Sequence, residues 1–175
     1  MSRIDYDLKI IRGIVFDVDG VLSPSTVQVD ESGRPLKMCN VKDGYALQLA
    51  VKKGIRIAVV TGGRSQAIVN RLHLLGIWDI WENVQDKFPV LEEWMKKYNF
   101  QKEEVAYMGD DIPDLRCMRN VGLPTCPFDA AWEVRQEALY ISPFTGGYGA
   151  ARDLIQQVLT RQELWSVNTI NNLIW

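Results

Sequence analysis

The chain has 175 residues, 47% hydrophobic and 24% charged, with a formal net charge of −2, which fits one ordinary globular domain. This balance gives no electrostatic footprint for nucleic acid, no apolar run is long enough for a membrane span, and the start MSRIDYDLK is too charged for a signal peptide. A single histidine, His73, and three cysteines without a CxxC pair exclude Ser-His-Asp chemistry, a zinc centre and a disulfide framework, which leaves carboxylates, lysine and hydroxyls for any catalysis.

Residues 10–16 predict a buried strand that runs into Asp17-Val18-Asp19-Gly20. Burying one unpaired carboxylate is costly and two close together repel, so this pair demands a cation, a reaction or both. Residues 26–29 and 36–39, separated by Asp30-Glu31-Ser32-Gly33, predict a β-hairpin inserted over about 24–41. It is too short for a folded cap domain, yet able to cover the acidic pair or meet another subunit. Helices are expected over 43–53, closed by Gly54, over 65–75, closed by Gly76, and over 88–98, where Val90, Leu91, Trp94 and Met95 share a face. Strands are expected over 55–60, 78–81, 105–108 and 139–141, a short helix over 112–120 and a last helix over 149–160. This alternation implies an α/β fold with a mostly parallel sheet covered on both faces. Residues 1–160 form the single domain. The apolar tail 161–175, with Leu164, Trp165, Ile170, Leu173, Ile174 and Trp175, docks on its own core or on a neighbouring subunit. The cysteines Cys39, Cys117 and Cys126 read as small buried hydrophobes in a reducing cytoplasm, and His73 as structural.

Ligands of open parallel sheets sit beyond the carboxyl ends of the strands. Those ends carry Asp17 and Asp19, then Thr61-Gly62-Gly63, then Gly109-Asp110-Asp111 with Asp114 beyond, and Lys87 lies in a loop able to reach them. A hard cation such as Mg²⁺ binds through one or two carboxylates plus substrate phosphate. Asp17 and Asp110 are its natural side-chain ligands, with the Asp19 carbonyl as a third. Thr61, the Gly62 and Gly63 amides and Lys87 suit the remaining phosphate oxygens. Phosphate monoesters hydrolyse so slowly on their own that concentrated positive charge at the phosphoryl group is needed. Asp17 then attacks phosphorus as nucleophile, and Asp19 protonates the departing alcohol and later activates water. Asp111 either orients loop amides or touches metal; Asp114 bonds Lys87, bonds the loop or caps a helix.

These segments, in this order, resemble the four signature motifs of the haloacid dehalogenase-like phosphatases: Asp17-Val18-Asp19-Gly20-Val21-Leu22, Thr61-Gly62, Lys87, and Gly109-Asp110-Asp111 with Asp114. Over about residues 10–159 the chain is similar to their small capless branch, which acts on 3-deoxy-D-manno-octulosonate 8-phosphate. The hairpin, Asn40-Val41-Lys42-Asp43-Gly44-Tyr45, Val105-Ala106-Tyr107-Met108-Gly109-Asp110-Asp111 and Gly146-Gly147-Tyr148-Gly149-Ala150-Ala151-Arg152 carry that closer likeness. The resemblance implies a Rossmann-like three-layer α/β/α fold without a cap domain. It also implies Asp17 as nucleophile and metal ligand, Asp19 as acid/base with a metal-binding carbonyl, Asp110 as metal ligand, and Thr61 and Lys87 as phosphate contacts. It further implies a cytoplasmic Mg²⁺-dependent phosphatase for a phosphorylated sugar acid, in lipopolysaccharide synthesis. A homotetramer is implied too, its hairpins and tails covering neighbouring active sites, with Asp43, Arg64 and Arg152 as substrate contacts.

Two segments depart from the branch. Ser23-Pro24-Ser25 replaces Thr-Asp-Gly at the hairpin base, and Thr61-Gly62-Gly63-Arg64 replaces Thr-Gly-Arg-Lys. Relatives acting on nine-carbon sugar acids carry a glutamate where Gly63 stands, so its absence favours the eight-carbon substrate. A nine-carbon sugar acid 9-phosphate is the alternative substrate. The alternatives of another class are a phospho-acceptor signalling domain, which Asp19 argues against because it turns over an acyl phosphate, and a scaffold without turnover.

Overall fold

The computed structural model describes residues 3–165. Leu8–Ile10 form a 3-10 turn whose Lys9 amide donates to the Asp7 side chain, so strand β1 covers only Gly13–Phe16 and starts later than the apolar run suggested. A short polar side chain offering its oxygen to a nearby amide diverts the backbone from the ladder. Gly13 is required by packing: a Cβ there would lie 2.6 Å from Trp94 and 2.9 Å from Phe100.

The hairpin consists of β2 (Gln28–Val29) and β3 (Pro35–Leu36), antiparallel and separate from the main sheet. Helix α1 (Val41–Lys52) begins earlier than residue 43 because the Asn40 side chain accepts from the Lys42 and Asp43 amides. Then follow β4 (Arg56–Val60), α2 (Gln66–Leu74), β5 (Asp79–Trp81), α3 (Phe88–Tyr98) and β6 (Val105–Met108). The helix expected over 112–120 is a 3-10 turn, Ile112–Asp114, running into a single-turn α4 (Leu115–Met118). Two elements were not anticipated, β7 (Leu123–Cys126) and α5 (Trp132–Glu137). Pro124 inside a four-residue run hid the strand, since proline is disfavoured in a sheet interior. Last come β8 (Tyr140–Ile141) and α6 (Ala150–Arg161).

The six-stranded sheet runs β5-β4-β1-β6-β7-β8, and its pairs are parallel. Alternation along the buried strands sends Ile14 and Phe16 to one side, with α1, α2 and α6, and Val15 to the other, with α3, α4 and α5. The result is the expected three-layer α/β/α architecture. Because β4, β1 and β6 are adjacent, the chain segments leaving their carboxyl ends meet at one edge.

Leu164 and Trp165 pack against the chain's own core, Trp165 edge-on to Tyr45 at 6.0 Å between ring centroids. The remainder of the tail, with Ile170, Leu173, Ile174 and Trp175, lies outside the described residues. All three thiols are free; Cys117 and Cys126 are buried as expected, whereas Cys39, on the segment leaving the hairpin, is exposed. His73 stacks on Trp78 at 4.5 Å, a structural contact. No helix among the described residues is long and apolar enough to cross a membrane.

Candidate active site

Asp17 follows β1 directly, and its amide still donates to the Met108 carbonyl, so the ladder with β6 fixes its position. Its carboxylate is nearly buried and accepts from the Val18 amide at 2.6 Å. Asp110 follows β6 across that ladder, and carboxylate oxygens of Asp17, Asp110 and Asp114 all lie within 4.8 Å of one another. Gly20, at φ +74°, lies against Asp110: a Cβ there would sit 1.8 Å from Asp110 Oδ2. Only glycine admits that approach.

Lys87 answers this negative charge from the loop before α3. Its Nζ lies 3.0 Å from Asp17 Oδ2 and 2.8 Å from Asp114 Oδ1. Asp114 is fully buried and fully engaged: Oδ1 also accepts from the Tyr107 hydroxyl at 2.7 Å, and Oδ2 from the Asp110 and Asp111 amides at 3.0 and 3.4 Å. It is therefore the organiser of the cluster, which leaves Asp17, with one partner on each oxygen, and Asp110 as the carboxylates that could take a cation. Asp111 turns away, its side chain accepting from the Ile112 amide to start the 3-10 turn.

Three carboxylates face one ammonium, so the cluster is short of positive charge. Burial first, then repulsion from Asp17, Asp114 and Asp111, pushes Asp110 up to about 8. Burial and repulsion from Asp114 push Asp17 up to about 6 against the lowering influence of Lys87. Burial lowers Lys87, but Asp114 and Asp17 together outweigh it and hold the ammonium above its ordinary range. A hard divalent cation at the Asp17–Asp110 oxygens satisfies this deficit, and an all-carboxylate donor set is the chemistry Mg²⁺ selects.

Thr61 follows β4 and is buried; its hydroxyl accepts from the Gly63 amide at 3.1 Å and shapes the glycine turn. In this turn the Asn83 and Val84 amides donate to the Gly63 and Thr61 carbonyls. Asp19 stands at the rim, its carboxylate 39% exposed. Its ion-pair partner is Lys37, from the hairpin, a residue that sequence reasoning did not single out. Tyr107 was equally hidden, being one apolar-looking position of a buried strand. Neither has a local signal, because each acts on a residue brought near only by folding.

The residues expected to touch substrate separate. Asp43 is buried, with one oxygen accepting from the Gly149 amide at 3.2 Å and the other from the Arg152 amide at 2.8 Å. It caps α6, a structural role beside the substrate contact that the resemblance implies. Burial raises its pKa despite those bonds. Asp43→Ala is expected to destabilise the fold by about 1–2 kcal/mol in a denaturant titration, the usual worth of such a cap. Arg64 is exposed and shares a small pocket with Asp19, Lys37 and Thr61. Arg152 lies over the Tyr45 and Trp165 rings, at 5.8 and 5.2 Å, beside a cleft of about 860 Å³ that contains none of the rim carboxylates.

Comparison with known proteins supplies independent findings. Residues 37–127 match the haloacid dehalogenase-like hydrolase family. The chain is 34% identical over 153 residues to the 3-deoxy-D-manno-octulosonate 8-phosphate phosphatase of Yersinia pestis, covering 87% of this chain and 82% of that protein. A probable YrbI family phosphatase structure from Pseudomonas syringae superposes with a TM-score of 0.89 at 34% identity, over 93% of both chains. The structure of the 3-deoxy-D-manno-octulosonate 8-phosphate phosphatase of Moraxella catarrhalis, in complex with magnesium ion, phosphate ion and KDO molecule, superposes with a TM-score of 0.85 at 33% identity, over 90% of both chains.

Proposed function

The chain belongs to the haloacid dehalogenase-like hydrolase family, and from that membership we propose that it is a Mg²⁺-dependent phosphatase cleaving 3-deoxy-D-manno-octulosonate 8-phosphate to the free sugar acid and phosphate. The observation that carries this reading is the Asp17–Asp110–Asp114 cluster, with Lys87 its one ion-pair partner among the described residues. The named relatives supply the substrate class.

In this reading Lys87, the Thr61 hydroxyl and the Gly62 amide bind and orient the phosphoryl oxygens, with Asp114 holding Lys87 in place. Mg²⁺, held by Asp17, Asp110 and the Asp19 carbonyl, supplies positive charge that draws electron density from phosphorus. An Asp17 carboxylate oxygen forms the new bond to phosphorus as the ester bond to the sugar breaks. The leaving oxygen takes a proton from Asp19. Asp19 then accepts a proton from water, whose oxygen bonds phosphorus and releases Asp17. Asp17, pushed up to about 6, is largely ionised at neutral pH beside its ammonium, whereas Asp110, pushed up to about 8, holds its proton until a cation takes its place, which ties metal loading to loss of that proton.

The substrate test is a side-by-side measurement of kcat/KM on eight- and nine-carbon sugar-acid phosphates, with and without chelator. The eight-carbon ester is expected to be preferred, and activity to vanish with EDTA and return with Mg²⁺. Preference for the nine-carbon ester moves the substrate assignment; activity indifferent to EDTA overturns the mechanism. A second outcome concerns pH. Raised carboxyl pKa values mean that the folded, metal-free protein binds more protons than the unfolded chain between about 4 and about 8. Its stability therefore falls as pH rises through that window. Protons and cation compete for the same oxygens, so the thermal shift produced by a fixed Mg²⁺ concentration is expected to grow from pH 5.5 to pH 8.

The exposed hairpin supports an assembly. Val29, Leu36 and Met38 are 62%, 52% and 51% exposed, and an isolated two-stranded hairpin is marginal in water. Its apolar surface is satisfied in a homotetramer where each hairpin covers a neighbour's site, with Arg64, in the pocket of its own Asp19, and Arg152 as substrate contacts. Free thiols fit a cytoplasmic protein.

A further inference from the structure

We infer that Lys37 is a positioning residue for Asp19, so that the hairpin forms part of the acid/base apparatus. This rests on the phosphatase reading above and names how one of its groups is held. The Lys37 ammonium pairs with Asp19 Oδ1, and its side chain is only 7% exposed although it comes from an otherwise exposed hairpin. Among the described residues no other ion pair holds either group. Exposed ion pairs contribute little because two long chains must be immobilised for a screened attraction. Here the lysine stem is already buried, so that ordering is supplied by packing.

The second oxygen of Asp19 is left for chemistry. A Cβ built on Gly63 would lie 3.1 Å from Asp19 Oδ2, 3.5 Å from Thr61 Oγ1 and 4.0 Å from Lys37 Nζ, so Oδ2 faces the glycine turn that follows β4. The neighbouring Met38 amide donates to Ser23 Oγ at 3.3 Å, which ties the hairpin strand to the loop after β1. One oxygen is thus anchored and the other presented. Oδ2 gives its proton to the leaving sugar oxygen as the ester bond breaks, and later takes a proton from the attacking water as the Asp17–phosphorus bond breaks. Lys37 changes no bond; it fixes the rotamer from which both transfers occur. The lysine lies 18 positions beyond Asp19 and reaches it only through the turn of the hairpin.

The test compares Lys37→Met and Lys37→Arg, each alone and combined with Asp19→Asn, in the full-length protein with Mg²⁺. With an alkyl sugar-acid phosphate, Lys37→Met is expected to lower kcat by about 10–100-fold, part of the acid/base contribution, with KM nearly constant. Lys37→Arg restores part of the loss. In the Asp19→Asn background the same change is expected to have no further effect, because its target is gone. An unchanged kcat overturns the inference, as does an equal loss in both backgrounds, which marks a role independent of Asp19. If Lys37→Met does not fold, Lys37→Gln replaces it in the same cycle. A wild-type chain that releases no phosphate overturns the phosphatase reading and this inference with it; an active wild type with an indifferent Lys37→Met overturns the inference alone.

Discussion

Asp17→Asn is expected to abolish phosphate release, with a loss of about 10⁴-fold or more in kcat, while the chain folds and becomes more stable without metal at pH 8. The amide cannot become the ester oxygen of an acyl phosphate, so no rearrangement of neighbours restores the step. Stability moves in the opposite direction because Asp17 is a buried carboxylate whose ionised form is disfavoured by burial and by Asp114. Removing its charge relieves Asp110, which Asp17 holds up at about 8 together with burial. The comparison is made by phosphate release under saturating Mg²⁺ and by denaturant melts with chelator. Mg²⁺ is expected to stabilise the variant much less than the wild type, since one of the two proposed carboxylate ligands is lost. Turnover within about tenfold of wild type, far above what removal of a nucleophile allows, overturns Asp17 as the attacking group.

Lys87→Met is expected to cost both activity and fold. At pH 8 it removes the ammonium that contacts Asp17 and Asp114 and leaves buried negative charge without its partner, a change worth about 3–5 kcal/mol. At pH 5 the penalty shrinks, because Asp17 and Asp110 take up protons in place of the lost cation. Saturating Mg²⁺ recovers part of the stability but not the activity. It compensates charge at the carboxylates, yet cannot replace the ammonium on the phosphoryl oxygens, where loss of one preorganised donor is worth about 10²–10³-fold. Chemical denaturation at both pH values and kcat/KM on the sugar-acid phosphate read the two effects. A stability loss indifferent to pH would mean that Lys87 contributes by packing alone.

Much of this site was visible in the chain before folding. Acids placed after apolar runs, at Asp17 and again at Asp110, are costly unless they serve a cation, and a parallel sheet puts such ends side by side. The alternation of strands and helices likewise announced the layers. The elements that escaped were short or broken a pattern: β7 with its proline, and α5, a six-residue helix. Asp43 escaped in another way. Its partners, Gly149 and Arg152, lie more than a hundred positions along the chain. Its motif-like setting implies a substrate contact, and the packing of α1 on α6 adds a capping role that no local pattern shows.

Chemistry of the rim is thus a property of residue order, because strand polarity alone carries Asp17, Thr61 and Asp110 to one edge. The division of labour among the acids belongs to tertiary packing. Asp110, Asp111 and Asp114 share a side-chain type within five positions, but only Asp114 is saturated by a lysine, a tyrosine and two amides. Asp19 gains its lysine only when the hairpin folds back. A carboxylate's role depends on burial and on which donors surround it, and both are set by contacts between segments remote in the chain.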